Sequence, residues 1–305
     1  MLDVKRLRVL KEFAAQGTIA AAAAALSYTP SAVSQQLAAL EREAGVTLFR
    51  RGGRRLQLTD AGRVLVAHAD AVLERLEEAD ADLAAHAGAV RGTVRVAAFQ
   101  LAALTLVVPA LALLAEEHPD LEVELTERDA EASLPLLLGG RLDLAIAEEY
   151  EHAPRPRDGR VHRVGLEPDD MLLVLPRDHP EAASGRPVSL AALHADPWVT
   201  AAEGTAYADM FVRLCRSAGG FEPDVRHRAN DFRILLELVA AGHGAALLPA
   251  LGRPESEDRV AVRPLAEGSF PRRVFLAVRS ADRRRPSTVA LMETLTRVSA
   301  GIRDW

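Results

Sequence analysis

The sequence predicts an α/β protein made of a small helical module, one long helix and a larger domain of alternating strands and helices. Three observations predict this fold class. Apolar residues recur at helical spacing near the N-terminus, no proline interrupts residues 59–87, and strand patterns alternate with helix patterns from residue 93 onwards. A chain of 305 residues also exceeds the size at which one hydrophobic core usually stops growing. We therefore expect more than one domain.

The composition is that of an ordinary globular protein. Apolar residues make up 49% of the chain and charged residues 26%, as in soluble domains. We find no run of about 18 apolar residues without a charge, so we expect no membrane-spanning helix. Charges at Asp3, Lys5 and Arg6 do not fit a secretory signal. These features predict a cytoplasmic protein without a membrane partner.

The sequence contains a single cysteine, Cys215. An internal disulfide and a thiolate metal cluster are therefore excluded. Its apolar neighbours favour a small buried hydrophobic residue, and a reactive sensor thiol is the alternative. We expect neither a metal ion nor a cofactor.

Charge is distributed unevenly along the chain. The first 60 residues hold nine basic and five acidic side chains, a balance of +4, whereas the whole chain carries −6. The remainder therefore carries −10. Such asymmetry is expected when one end of a protein meets phosphate, although basic clusters also occur on solvated faces.

Two helices are predicted before residue 27. Residues 3–15 place most of their apolar side chains on one stripe. Gly17 ends this helix, and Thr18 can cap the next one at Ile19–Leu26. The second helix is nearly all alanine, which lets another helix cross closely.

A third helix begins with Thr29 as N-cap and Pro30 in its first position. Val33, Leu37 and Leu40 recur on its buried side. The opposite face carries short hydroxyl and amide side chains, Ser31, Ser34 and Gln35. Gln suits the major-groove edge of adenine, and Ser can meet bases or phosphates. A solvated polar face is the alternative interpretation.

A β-hairpin follows the third helix. Residues 47–51 and 54–58 flank Gly52-Gly53, a pair typical of tight hairpin turns. Arginines surround the turn, at Arg50, Arg51, Arg54 and Arg55. They could lie along a DNA backbone or enter a minor groove, and protection of an edge strand by charge is the alternative. Directly after a helix-turn-helix, the hairpin is interpreted as a wing.

The N-terminal module resembles the LysR-type transcriptional regulators. The resemblance runs from Gly17-Thr18 through Leu26-Ser27-Tyr28-Thr29-Pro30-Ser31-Ala32-Val33-Ser34-Gln35 to Leu58-Thr59-Asp60-Ala61-Gly62. The resemblance implies a winged helix-turn-helix over residues 1–59. It also implies contacts with double-stranded DNA at two-fold related promoter sites. The matching DNA-binding positions are Thr29, Pro30, Ser31, Ser34 and Gln35 on the helix, with Arg50, Arg51 and Arg54 on the wing. Many family members have Gln where this chain has Thr29.

A linker helix is predicted over residues 60–88. Its heptads place Leu65 and Val72 at one seam position and Leu76 and Leu83 at the other. These residues are predicted to mediate dimerisation, and packing on the protein's own domain is the alternative. The resemblance implies a homodimer and, beyond it, a homotetramer, with RNA polymerase as a further partner.

Residues 91–305 alternate strands and helices and predict a parallel sheet covered by helices. Gly140–Ile146 and Ala240–Pro249 resemble the effector domain of the LysR family. That domain resembles periplasmic binding proteins, with two lobes joined by crossing strands. We place lobe one at 91–165 and 268–305, and lobe two at 166–267. The predicted strands lie at 93–98, 121–125, 142–147, 171–175, 198–200, 244–248 and 274–278.

Ligands of such sheets bind beyond the carboxyl ends of strands. This rule selects the loops at 99–101 and 200–204. The predicted effector-binding residues are Phe99, Gln100, Leu101, Glu148, Thr200, Ala202, Glu203 and Asn230. Many relatives have Ser or Thr where Gln100 stands, so Gln100 either binds an effector or hydrogen-bonds within its own loop.

Known catalytic motifs are absent from the sequence. We find no P-loop, no Gly-x-Gly-x-x-Gly and no Gly-x-Ser-x-Gly turn, and no His pair at i, i+4 with a Glu. The sequence therefore predicts a transcriptional regulator controlled by a small-molecule effector, not an enzyme. A ligand-binding protein without productive DNA contact and an enzyme on a two-lobed scaffold are the alternatives.

Overall fold

A computed structural model describes residues 1–52, 55–254 and 256–302. The chain divides into two compact units. The N-terminal unit contains Met1–Ala89 and the short segment Ser280–Pro286, and the C-terminal unit contains Val90–Arg279 and the chain from Ser287 onwards.

The N-terminal unit consists of four helices and a hairpin. They are α1 (Val4–Gln16), α2 (Ile19–Ala25), α3 (Pro30–Ala44), β1 (Phe49–Gly52), β2 (Arg55–Leu58) and α4 (Asp60–Ala87). The apolar stripes of the first three helices meet in one core, whose buried members include Leu10, Phe13, Val33, Leu37 and Leu40. The three predicted helices and the predicted hairpin are thus confirmed.

Helix α4 begins and ends at capping residues. The Thr59 hydroxyl accepts a hydrogen bond from the Gly62 N–H at 3.0 Å. Gly88 ends the helix in the left-handed region, with φ at 67°, which glycine adopts without a Cβ clash. The predicted linker helix is therefore one uninterrupted helix of 28 residues.

The predicted seam residues of α4 differ in their exposure. Val72, Leu76 and Leu83 are 43%, 40% and 70% exposed, so they are available to a second chain. Leu65 differs because it is half-buried against the core of its own unit. The helix uses a different stripe, which includes the buried Leu73, to pack within its unit.

The C-terminal unit contains ten strands and five longer helices in the described residues. The strands are β3 (Gly92–Ala98), β4 (Leu121–Glu127), β5 (Leu144–Tyr150), β6 (Val161–Gly165), β7 (Asp169–Pro176), β8 (Pro197–Thr200), β9 (Asp224–Arg228), β10 (Ala246–Pro249), β11 (Val260–Arg263) and β12 (Pro271–Arg279). The helices are α5 (Gln100–Glu117), α6 (Ala130–Leu138), α7 (Ala206–Leu214), α8 (Phe232–Ala240) and α9 (Pro286–Gly301), and α5 contains a π-helical turn at Ala103–Val107.

The main sheet is mixed. Its strand order is β10-β7-β12-β5-β3-β4, with β11 beside β7 and β6 beside β12. Strand β3 is parallel to β4 and β5, as predicted. The prediction of a parallel sheet is wrong for β12, which runs antiparallel to β5, β6 and β7. It is also wrong for β10 and β11, which both run antiparallel to β7. The chain returns along β12 in the opposite direction to β5.

Three hydrophobic cores mark two lobes within this unit, and two of them belong to lobe one, where α6 packs through Leu137 in the smaller one. In lobe one, α5 and α9 pack on the sheet through residues such as Leu106, Leu291 and Ile146. Lobe two is built around Trp198 and Phe211. Strands β7 and β12 pair only at their first residues, where Arg272 lies opposite Asp169. These two strands therefore form the hinge between the lobes.

Several elements escaped prediction, namely β6, β9, β11 and α9. Strand β9 reads Asp-Val-Arg-His-Arg, with charged or polar residues at four of five positions, so it carries little apolar signal. Helix α9 buries Thr288 and Thr294 beside Leu291 and Leu295. Buried hydroxyl groups weaken the contrast between apolar and polar positions from which a helix is predicted.

One described helix, Gln100–Glu117, is long and apolar enough to cross a membrane by length and composition alone. This window contains Glu116 and Glu117, so it is not a charge-free run, and length and composition alone do not test the expectation that no helix spans a membrane. Its residues Leu106, Ala110 and Leu114 are buried in the core of lobe one. Packing of one face into a protein core accounts for the apolar character of this helix.

Candidate DNA interface and effector site

The N-terminal end of α3 presents the predicted base-reading residues. The Thr29 hydroxyl accepts a hydrogen bond from the Ala32 N–H at 3.1 Å and caps the helix. Burial of Val33, Leu37 and Leu40 fixes the rotation of the helix. The opposite face, with Ser31, Ser34 and Gln35, is exposed together with Thr29 and Pro30. A helix N-terminus with exposed short polar groups can approach both bases and phosphates.

The turn before α3 contains a strained residue. Ser27 has φ at 55° and is the one non-glycine residue with positive φ in the described ranges. The Tyr28 N–H donates to the Ala23 carbonyl at 2.8 Å, and the Ser27 N–H donates to the Ala24 carbonyl. This is the hydrogen-bond pattern of a left-handed helix C-cap. It sets the angle between α2 and α3.

Glu41 holds the wing against α3. Its carboxylate accepts hydrogen bonds from the Leu48 N–H at 2.7 Å and the Phe49 N–H at 3.1 Å. A Cβ on Gly62 would lie 2.3 Å from the Leu48 carbonyl oxygen, so α4 approaches this segment closely only because residue 62 is glycine. Neither role was predicted from the sequence.

The wing carries exposed arginines. Arg50 and Arg51 are exposed on β1, and the hairpin register pairs Gly52 with Arg55. Strand β1 therefore begins two residues later and ends one residue later than the predicted 47–51. Arg54, which was predicted to bind DNA, lies outside the described residues together with Gly53.

Two other basic residues of the N-terminal unit, Arg6 and Lys11, are paired within it. Arg6 forms an ion pair with Glu43, and its Nε donates to Gln36 Oε1 at 3.1 Å. Lys11 Nζ lies 3.4 Å from Asp70 Oδ1. These contacts hold helices together, and they leave Gln35, not Gln36, on the exposed face.

Gln100 connects the two lobes. It is the first residue of α5, and its Oε1 accepts a hydrogen bond from the Phe232 N–H at 3.4 Å. A hydrogen bond from the Gln100 side chain also holds the pKa of Asp231, the N-cap of α8, below its usual value. Its amide therefore already binds the N-terminus of α8.

A buried ionic group lies at the hinge. Arg272 Nε donates to Asp169 Oδ2 at 2.7 Å, and both side chains are at most 3% exposed. The Arg272 Cζ lies 5.0 Å from the Phe99 ring centroid and 5.8 Å from that of Phe232. We call Arg272, Asp169, Glu148 and Tyr150, with Phe99 and Phe232, the hinge cluster.

Burial and neighbouring charges shift the pKa values of three groups in the hinge cluster. Burial raises the pKa of Glu148, although Arg272 and Arg155 oppose the shift. Burial also raises the pKa of Tyr150 to about 12. Burial opposes the charge on the Arg272 guanidinium, but the combined effect of Asp169, Tyr150 and Glu148 outweighs it and raises the pKa of Arg272, which stays charged.

The remaining predicted effector residues in lobe two differ in burial and in their hydrogen-bond partners. Thr200 is fully buried at the end of β8. The Ala202 N–H donates to Asn230 Oδ1 at 3.0 Å, so these two residues stabilise one loop pair in lobe two. The Glu203 side chain is 82% exposed and pairs with Arg228.

The structure thus brings Phe99, Gln100 and Glu148 to the hinge, whereas Leu101 is buried in the core of lobe one. Arg272 and Asp169 were missed. A charged residue inside the otherwise apolar run of β12 was the available signal. Among the described residues, no group of three or more His, Cys, Asp or Glu side chains could hold a metal ion.

Two family models match the chain. A model described as bacterial regulatory helix-turn-helix protein, lysR family, matches residues 4–63. A model of the LysR substrate binding domain matches residues 87–300. Together they cover both units in the order that the sequence predicts.

Similar proteins support the same assignment. A probable hydrogen peroxide-inducible genes activator of Mycobacterium avium is 33% identical over 285 residues, which cover 91% of this chain and 88% of the relative. The structure of an OxyR mutant from Corynebacterium glutamicum is 26% identical, with a TM-score of 0.62 over 100% of this chain and 94% of that one. A full-length OxyR variant from Pseudomonas aeruginosa shares the fold at 21% identity, with a TM-score of 0.73 over 97% and 95% of the chains.

Proposed function

The chain belongs to the LysR family of bacterial transcriptional regulators, and on this premise we propose which residues bind its DNA and its effector. As a LysR-type regulator it binds DNA through the N-terminal unit and a small-molecule effector through the C-terminal domain. We propose that Ser31, Ser34 and Gln35 read bases. Thr29 and Pro30 would then orient the start of the helix against the DNA backbone.

The observation that carries this proposal is the exposure of one polar face on α3 while its apolar stripe is buried. Arg50 and Arg51, with Arg54, supply affinity for the phosphate backbone in this proposal. Because phosphate contacts release counterions, their loss should lower affinity on all sequences alike.

Salt titrations of DNA binding test the wing. We expect Arg50→Ala and Arg51→Ala each to reduce the slope of log affinity against log salt by about one. Arg42→Ala removes the same charge from an exposed position near the other end of α3 and serves as the control. Equal effects of all three substitutions would contradict the proposed wing contact.

The effector domain is proposed to bind its ligand between the lobes at the hinge cluster. A ligand that has different affinity for two assemblies shifts the equilibrium between them. We propose that this shift changes the spacing of recognition helices on two-fold related promoter sites. RNA polymerase is the proposed partner of the DNA-bound protein, and the cytoplasm, where the DNA lies, is the proposed compartment.

Thiol oxidation by peroxide is not the proposed signal, although one relative is named for hydrogen peroxide. Cys215 is the single cysteine of the sequence. It is fully buried, and burial raises its thiol pKa to about 12. Because the thiolate is the reactive form, this side chain lacks the chemistry of a peroxide sensor.

Two apolar surfaces support a homodimer and a homotetramer. Val72, Leu76 and Leu83 are exposed on α4, and Leu104 and Val108 are exposed on α5. Two separate self-complementary surfaces on one chain permit a closed assembly of four.

Light scattering on purified protein tests this assembly. We expect Leu83→Asp and Val108→Asp each to lower the molecular mass in solution. Val64→Asp, at an exposed position of α4 outside the predicted seam, should leave the mass unchanged. An unchanged mass for both test variants would contradict the proposed interfaces.

A further inference from the structure

The base of the wing is bound from two sides by other elements of the N-terminal unit. We define the wing base as Thr47, Leu48 and Phe49, the residues that lead from α3 into β1. The Leu48 and Phe49 N–H groups donate to Glu41 of α3. The Thr47 and Leu48 carbonyl oxygens accept hydrogen bonds from Thr59, the N-cap of α4. The donors and the acceptors of this short segment are thus bound by two different residues.

Glu41 connects the wing base to the recognition helix. Its carboxylate oxygen Oε1 accepts both hydrogen bonds, at 2.7 Å from the Leu48 nitrogen and 3.1 Å from the Phe49 nitrogen. Hydrogen bonds to a charged acceptor are stronger than those between neutral groups. Glu41 lies on the same helix as Gln35. The backbone of the wing base therefore has a fixed place relative to the helix that is proposed to read bases.

Thr59 connects the wing base to the linker helix. Its hydroxyl donates to the Thr47 carbonyl at 2.8 Å and accepts from the Gly62 N–H at 3.0 Å. Its own N–H donates to the Leu48 carbonyl at 2.9 Å. Because a threonine hydroxyl can donate and accept at once, one side chain both caps α4 and binds the wing base.

Packing restricts the wing base further. Leu48 and Phe49 are 1% and 8% exposed. The Phe49 ring lies edge-on to the Phe13 ring of α1, with 5.7 Å between the centroids. A Cβ on Gly62 would collide with the Leu48 carbonyl oxygen, which is the oxygen that the Thr59 N–H binds. The wing base therefore has no room to move towards α4.

The arginines that follow the wing base are held only through their backbone. Arg50 and Arg51 come directly after Phe49 and are exposed. Neither guanidinium has a hydrogen bond or an ion pair with another described residue. Their approach to DNA therefore depends on where the wing base holds the chain. A backbone that is already fixed loses less conformational freedom on binding.

We propose that Glu41 and Thr59 are positioning residues for DNA binding, which hold the wing base so that Arg50 and Arg51 reach the phosphate backbone while α3 lies in the groove. The proposal rests on the phosphate contacts proposed above for the wing. Neither positioning residue touches DNA, and each acts through the two arginines. Loss of either residue should therefore remove phosphate contacts without changing which bases α3 prefers.

Salt titrations of DNA binding by the full-length protein test this role. The ligand is a DNA fragment that wild type selects from a random library. We expect Thr59→Val and Glu41→Leu each to reduce the slope of log affinity against log salt by about one or two, because one or both arginines are displaced. Thr59→Ser and Glu41→Gln, which keep a hydroxyl and an acceptor oxygen, should retain most of the wild-type slope. Wild-type slopes in both Thr59→Val and Glu41→Leu would overturn the proposal.

Two matched controls separate positioning from stability. The Thr205 hydroxyl also does two things at once, since it caps α7 by accepting the Ala208 N–H and donates to the Ala202 carbonyl. Glu267 Oε1, like Glu41 Oε1, accepts two hydrogen bonds, and both come from lobe two. We expect Thr205→Val and Glu267→Leu to lower the melting temperature but to keep the wild-type salt slope. A reduced slope in these controls would show that the slope follows lost stability, and it would overturn the positioning role.

A double-substitution cycle with Arg51 separates the positioning role from the wing contact itself. Arg51→Ala should reduce the salt slope less in the Thr59→Val background than in wild type, because the arginine is already displaced. Additive effects would show that Thr59 does not act through Arg51, and they would overturn the proposal. If Arg50→Ala and Arg51→Ala both keep the wild-type slope, the proposed wing contact fails and the positioning role fails with it. If they reduce the slope while Thr59→Val and Glu41→Leu do not, the positioning role alone fails.

Discussion

Arg272 and Asp169 form a hydrogen-bonded ion pair between the first residues of the two strands that connect the lobes. The Nε–Oδ2 distance is 2.7 Å, and the two side chains are 2% and 3% exposed. Asp169 also binds the Leu251 N–H. The pair therefore ties together β7, β12 and a turn of lobe two at the point where the lobes meet.

Removal of one partner from this pair should strongly destabilise the fold. We expect Asp169→Ala to lower the free energy of unfolding by about 3–5 kcal/mol, because it leaves a buried guanidinium charge uncompensated. Urea unfolding followed by circular dichroism measures the change. Asp170→Ala, at the adjacent and less buried position, is the control. The double variant Asp169→Leu/Arg272→Met should recover much of the loss, and a loss in the double variant as large as in Asp169→Ala would argue against an uncompensated charge.

The stability contribution of Glu148 should depend on pH. Burial raises its folded-state pKa above the ordinary value of 4.5, so the folded protein holds this proton more tightly than the unfolded chain. The free energy of unfolding of the wild type should therefore fall as the pH rises from about 4.5 through the folded pKa of Glu148. The Glu148→Gln variant, which cannot lose this proton, is the reference for this fall. The charged groups that face Glu148 are Arg272, Arg155, Glu131 and Asp129. Urea unfolding of both proteins across this range checks the sign, and a difference that stays constant with pH would contradict it.

Cys215 should be inert in the folded protein. Its thiol is buried, and its pKa is raised to about 12, so little thiolate forms near neutral pH. We expect no reaction with 5,5′-dithiobis(2-nitrobenzoate) until denaturant is added. We also expect the DNA affinity of wild type and of Cys215→Ala to be equally insensitive to hydrogen peroxide. A peroxide response present only in wild type would show that the thiol senses oxidation.

Replacement of Ser27 by glycine should stabilise the N-terminal unit. Ser27 adopts φ of 55°, a conformation that costs an L-residue about 1 kcal/mol or more and costs glycine little. We expect Ser27→Gly to raise the free energy of unfolding by about 0.5–1 kcal/mol after the greater flexibility of unfolded glycine is included. Ser31→Gly, inside α3, should lower it by a similar amount. If both substitutions destabilise, the turn before α3 is not strained.

The N-terminal unit was predictable because its signals are local. Thr29 and Pro30 mark the start of α3 within two residues, and Val33, Leu37 and Leu40 repeat within two turns. Residues that are close in sequence become close in space on a helix, so periodicity and capping rules suffice. The position of the wing was predictable for the same reason, because the two strands of the hairpin and its turn are adjacent in the sequence.

The hinge cluster was only partly predictable because its contacts join distant residues. Arg272 and Asp169 are separated by 103 positions, and Gln100 and Phe232 by 132. The rule that ligands bind beyond strand ends located Phe99 and Glu148 individually. It could not reveal that Gln100 would bind α8, or that a buried arginine from the last strand would lie near the rings of Phe99 and Phe232.

Gln35 is proposed to read a base through the exposed N-terminal part of α3, and this base contact is the most direct point to test. Selection of DNA ligands from a random library by wild type, Gln35→Ala and the control Gln16→Ala tests it most directly. We predict that Gln35→Ala relaxes the base preference at one position in each half-site, at a cost of about 1–3 kcal/mol for the preferred base. Gln16→Ala, at the end of α1, should retain the wild-type preference. An unchanged base preference in Gln35→Ala would contradict a base contact by Gln35.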